Sequence, residues 1–140
     1  MKAFTKNLML FVLFFFAGAI LFRYGLSSFL ENRMYGAVWI LAAVYFFYNF
    51  GIGWVFGKRD YEDFPLYDVG FRFHFATYVV FIVVSELWFL LGFHASSFEN
   101  IMTVHYTAIF WGVGVVVHFI LFWRSRKHAI MGIHKSEIFE

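Results

Sequence analysis

The sequence predicts an all-α membrane protein: four antiparallel transmembrane helices in an up-down bundle, with both termini on the cytoplasmic side. Three observations carry that reading. Of 140 residues, 62% are hydrophobic and only 14% are charged, where a soluble domain carries about a quarter. Most of the charge is confined to three short stretches with long apolar runs between them. Finally, Lys and Arg divide unevenly between the two sides that those runs define.

About 20 helical residues cross a hydrocarbon layer about 30 Å thick. Four segments qualify, at roughly 8–30, 35–56, 69–93 and 101–123. In lipid every backbone polar group must be satisfied internally, so such segments are helices. The first, "MKAFTKNLMLFVLFFFAGA", has the grammar of a signal peptide: Lys2 and Lys6, an apolar centre, then small Ala17-Gly18-Ala19. Its apolar run continues past that point as Ile20-Leu21-Phe22, which marks it as a retained first helix. The second opens after "ENRMYG". The third follows "GKRDYEDFPLYD", where Pro65 sits in the loop and Asp68 is placed to cap the helix and pair with Arg72. The fourth follows "HASSFEN" and ends in the basic tail "RSRKHAIMGIHKSEIFE". Links this short make consecutive helices antiparallel neighbours.

Orientation follows from charge. One side holds Lys2, Lys6, Lys58, Arg59, Arg124, Arg126, Lys127 and Lys135; the other holds Arg33, with Arg23 near it. The positive-inside rule therefore places the termini and the 57–68 link in the cytoplasm, as in a bacterial inner-membrane protein. Arg124, Arg126 and Lys127 form a basic surface patch for anionic lipid or a protein partner. The net charge of +2 is explained by this topology rather than by nucleic acid. Neither the longest link nor the tail is long enough to fold a catalytic domain, so the sequence points away from an enzyme. The chain has no cysteine, which excludes disulfides and thiolate metal sites. Its 23 phenylalanines read as lipid-facing side chains.

Polar residues inside spans are expensive, face a bundle interior, and are functional candidates by default. Asn49, His74 and His118 fall at one depth toward the cytoplasmic side. Glu86, His105 and Arg23 lie toward the other, with His94 and Tyr106 at the interface. On the third helix Phe71, His74, Tyr78, Phe81, Ser85 and Trp88 share one stripe. On the fourth, Thr107, Trp111, Gly114 and His118 do the same, and the two stripes are expected to face each other. Gly112 and Gly114, like Gly51 and Gly53 on the second helix, would let another backbone approach closely. The histidines either tie the bundle together through Asn49, Tyr48, Tyr78 or backbone carbonyls, or ligate a b-type haem from both sides. The structural role is the expectation, with no cofactor bound; the haem is the alternative. For Glu86 the expected partner is Arg23, in an ion pair inside the bundle. Otherwise Arg23 snorkels to the interface, and Glu86 is protonated or pairs with His105. A proton or ion pathway through Glu86 and His105 is a further alternative that would require an oligomer. His94, His105 and Glu99 flank the outer link without the spacing of a metal site.

The second half, "FRFHFATYVVF" followed by "FWGVGVVVHFILFWRSRK", resembles the bacterial 2TM domain family of Bacteroidota-type small membrane proteins. His74 and Tyr78, Trp111-Gly112-x-Gly114, and His118 before a basic stretch carry the resemblance, over about residues 70–127. It departs at Ile82, where the family pattern implies a polar Asn. The resemblance implies a membrane module that attaches, senses or assembles, with no established enzymatic activity. The expected function is thus that of a small, non-enzymatic integral membrane protein. It would act through contacts with lipid and with another membrane protein or its own copies, as an accessory subunit, scaffold or sensor module.

Overall fold

The computed structural model describes residues 4–63 and 69–131, with side chains through residue 124. Within these residues the chain forms α1 (Lys6–Glu31), α2 (Tyr35–Asp63), α3 (Val69–Leu90) and α4 (Ile101–Met131). The protein is all-helical where described, and all four helices are long and apolar enough to cross a membrane. Pro65 and Asp68, and the side chains of Arg126 and Lys127, lie outside the described residues.

Local chemistry sets the helix ends. Thr5 caps α1, its hydroxyl accepting from the Leu8 N–H at 3.2 Å. The turn after α1 places Arg33 in the left-handed region at φ 55°. It is closed by the Met34 N–H on the Phe29 carbonyl at 2.8 Å, the wide loop of a Schellman cap. α3 stops by the same device, with Gly92 at φ 72° and the Phe93 N–H on the Trp88 carbonyl at 3.0 Å. Asn100 starts α4 by accepting from the Met102 N–H at 2.9 Å.

Two helices outrun their apolar segments. α2 was expected to end near residue 56 and continues to Asp63. No helix breaker occurs before Pro65, Lys58 and Glu62 pair across one turn at 3.8 Å, and Asp60 is fully buried. The first half of the 57–68 link is therefore helix. α4 likewise runs on past residue 123 to Met131.

The helices pack in the order α2, α1, α3, α4, with a lighter contact between α2 and α3. Among the described residues, α4 packs on α3 and on neither α1 nor α2, so the bundle is open rather than a closed ring. A buried apolar cluster of Leu8, Phe11, Phe15, Phe56 and Phe73 lies in one half of the molecule, and Val84, Trp88 and Val104 are buried toward the other. Phe11 meets Phe73 at 4.8 Å between centroids, and Phe14 stacks on Phe56 at 5.6 Å. Four phenylalanines thus build this cluster, where composition alone read phenylalanine as lipid-facing. We call the end holding Thr5, Asp60 and Arg72 the terminal end, and the end holding linkers 32–34 and 91–100 the linker end.

Close approach between α1 and α2 depends on Gly18 and Gly25. The Tyr48 ring lies where a Gly18 side chain would begin, and its hydroxyl donates to the Phe14 carbonyl at 2.8 Å. Leu41 packs over Gly25, 3.1 Å from where a Cβ would sit. Ala17-Gly18-Ala19, which looked like a cleavage signal, is a packing seat. Of the glycines expected to pack, Gly112 fits: a Cβ there would lie 3.2 Å from the Tyr78 hydroxyl. Gly51 and Gly114 face open space and Gly53 only grazes Phe11 at 3.9 Å, so the expectation for those three is corrected.

Candidate functional site

Four polar clusters decorate this frame. The first joins α3 and α4. Trp111 Nε1 donates to His74 Nε2 at 2.8 Å, and His74 Nδ1 lies 3.1 Å from His118 Nδ1. An indole N–H can only donate, so His74 Nε2 must be the acceptor and, in the neutral ring, Nδ1 carries the proton. His74 then donates to His118 Nδ1, which leaves the His118 proton on Nε2, directed away from His74. The hydrogen bonds therefore run one way: Trp111 to His74 to His118. One turn along, Tyr78 donates to the Ala108 carbonyl at 3.1 Å, and its ring meets Trp111 edge-on at 5.8 Å. The two stripes read from the sequence do face each other here, through His74, Tyr78, Trp111 and His118. Asn49 is not part of the cluster; it sits on α2 beside Tyr45. Tyr48 is spent on Phe14.

This geometry does not fit a haem. Metal–nitrogen bonds of about 2 Å hold two opposed ligands about 4 Å apart. The facing nitrogens here are 3.1 Å apart and bonded to each other, with ring centroids at 5.3 Å. As arranged, the two rings are hydrogen-bonded to each other rather than standing on opposite sides of a metal.

The second cluster ties α1 to the 91–100 linker. Arg23 is 6% exposed and its guanidinium stands 5.1 Å over the Phe89 ring. Its counter-ion is Glu99: Arg23 Nη2 and Glu99 Oε2 are 3.7 Å apart, with side chains 8% and 2% exposed. Ser27 completes the arrangement by donating to Glu99 Oε1 and accepting from the Ala95 N–H at 2.8 Å. One hydroxyl thus latches the linker onto α1. The expected Glu86–Arg23 ion pair is corrected by this finding, because each residue has a different partner. Glu99 was out of reach of helical-period reasoning, since it lies in a linker that folds back over the bundle.

Glu86 forms the third cluster with His105, Oε1 to Nε2 at 3.1 Å across α3 and α4. These side chains remain 38% and 46% exposed, so the pair looks out from the bundle rather than into it. His94 stacks on Phe89 at 5.1 Å and takes no part in either cluster.

The fourth cluster clamps the terminal end. Arg72 Nη1 reaches Asp60 Oδ2 at 3.3 Å, and Nη2 reaches the Thr5 hydroxyl at 3.3 Å. Nearby, Asn7 donates to Asp63 Oδ2 at 2.7 Å. Thr5, Asp60 and Arg72 therefore join the start of α1, the end of α2 and the start of α3. The sequence reading assigned Asp60 to a loop and so missed it. Arg124, the described member of the basic patch, projects from exposed surface on α4.

Compared with known proteins, the chain matches no family model, no curated protein and no solved structure.

Proposed function

We propose that this chain is a non-enzymatic integral membrane protein that works through contacts inside the bilayer, as an accessory subunit, scaffold or sensor module of a larger assembly. The observation that carries the reading is the outward-facing Glu86–His105 pair, about one turn inside the spans of α3 and α4. Ionisable residues in spans normally face a bundle interior. This pair faces away from its own chain, so a neighbouring protein is the natural source of its interior. Apolar exposure on α2 and α4 is equally at home against lipid and does not discriminate.

In this reading the four spans are antiparallel, with both termini and the residues following α2 on the cytoplasmic side of a bacterial inner membrane. The support is the excess of Lys and Arg at the terminal end. The resemblance of 70–127 to the 2TM domain family favours the same kind of role, and Arg124, Arg126 and Lys127 would meet anionic lipid headgroups.

The test is photo-crosslinking in intact membranes from Val83 or Leu87, both exposed beside Glu86. The expected result is a protein adduct of discrete mass that falls several-fold with Glu86→Gln. Lipid adducts alone, from both positions, would refute the proposal.

A further inference from the structure

The Glu86–His105 pair is only half used by its own chain. A carboxylate has two accepting oxygens, and a protonated imidazole has two N–H donors. In this ion pair Glu86 Oε1 meets His105 Nε2 at 3.1 Å. That leaves Glu86 Oε2 and His105 Nδ1, and among the described residues no other hydrogen bond engages either side chain. Both remain partly exposed, at 38% and 46%.

The pair also sits in a continuous apolar ridge. The exposed large apolar side chains of α3 are Phe75, Val79, Val83, Leu87 and Leu90. Steps of three or four residues keep them on one side of the helix, and Glu86 falls among them. α1 and α4 pack on other sides of α3. On α4, exposed Met102 and Ile109 flank His105 at the same spacing. A lipid tail would suit the ridge, but it offers nothing to the unused oxygen and N–H.

We infer that this face docks a second copy of the chain, inserted in the same direction and related by a two-fold axis along the membrane normal. The inference rests on the functional reading above and names its partner. Valence selects a second copy, because each copy brings one spare acceptor and one spare donor. Glu86 then accepts from His105 of the second copy, and His105 donates to that copy's Glu86, the reciprocity of an isologous contact. Two carboxylates and two imidazoliums close a ring that uses all four oxygens and all four N–H groups. Charge agrees, since the pair sums to zero and a partner bringing a lone charge would leave it unbalanced. Depth agrees as well. Glu86 and His105 touch, so they lie level in the membrane, and an axis along the normal keeps them level across the interface.

The experiment uses two full-length copies carrying different fluorescent tags, with association read by energy transfer across a dilution series in mild detergent. Glu86→Gln in both copies, or His105→Gln in both, removes both cross-contacts. Association should weaken about eightfold, at about threefold per intramembrane polar contact. Placing Glu86→Gln in one copy and His105→Gln in the other leaves one intact contact between chains and none within either chain. This mixed pair should associate about threefold more tightly than either variant with itself. Exchange of the two groups, Glu86→His with His105→Glu, should restore association to near the parent level. Both positions are partly exposed, so none of these changes disturbs a buried contact. Photo-crosslinking in intact membranes from Leu87 identifies the occupant, and an adduct of twice the chain mass containing only this sequence is expected. Association unchanged by the Gln variants, or no gain in the mixed pair, overturns the inference. A different protein in the adduct overturns it too but leaves the functional reading standing, whereas lipid adducts alone overturn both.

Discussion

His74 is held from both sides, and that fixes more than its position. Because Trp111 can only donate, the proton on His74 is assigned and so is the direction of the bond to His118. Polar contacts between membrane helices contribute modestly, about 0.6 kcal/mol on average and about 1.7 at most. A double-mutant cycle of His74→Leu and His118→Leu, read by unfolding in detergent micelles, should return a coupling energy within that range. A coupling of zero would mean that the two rings do not meet. The Arg23–Glu99 pair should be more sensitive. Glu99→Gln keeps a partner for Ser27 but strands a buried guanidinium, and breaking a buried pair from one side costs about 3 kcal/mol. The same unfolding measurement should show that loss, and Arg23→Met added to Glu99→Gln should recover most of it. At this scale the sequence was half legible. Shared depth and helical spacing bring His74, Tyr78, Trp111 and His118 together. Depth alone nominated Glu86 for Arg23 and failed, because partner choice depends on which way each side chain leaves its helix. The true partner sits in a linker, where no period applies.

Helices were legible in existence and apolar extent, and less so at their ends. Hydropathy marks where the chain is greasy, whereas the helix ends where its backbone groups find caps. That is why α2 continues through Lys58, Arg59 and Asp60 and why α3 stops at a glycine in the left-handed region. Gly92→Val should destabilise the chain by about 1–2 kcal/mol, the usual penalty for a side chain in that conformation; Gly92→Asn should be better tolerated. Glycines exposed a different limit. A small residue permits close approach without saying whether a neighbour comes, so Gly51 and Gly114 looked equivalent to Gly112 and are not. Between membrane helices, packing substitutes for the hydrophobic effect as the adhesive. Gly18→Val should therefore push Tyr48 off α1, break its bond to Phe14, and lower the thermal midpoint in detergent by several degrees. Gly51→Val, facing open space, should leave that midpoint nearly unchanged.

For the whole molecule, four spans follow from length and composition, but their arrangement does not. Short links bring α1 to α2 and α3 to α4; they do not decide that α3 packs chiefly on α1, with only a light contact to α2, or that α4 stays on the far side of α3. Sidedness can be read directly because the chain is free of cysteine. Single cysteines at Lys58 and Ser97 should label oppositely with an impermeant maleimide: Ser97→Cys in intact spheroplasts, Lys58→Cys only after lysis. The reverse pattern would invert the proposed topology.

The latch that joins Ser27 to Glu99 spans 72 positions of sequence. Along the chain, Arg23 and the whole of α1 precede that carboxylate, so the guanidinium is made well before its counter-charge. A chain that ended between α3 and α4 would therefore hold Arg23 without the Glu99 carboxylate that pairs with it here.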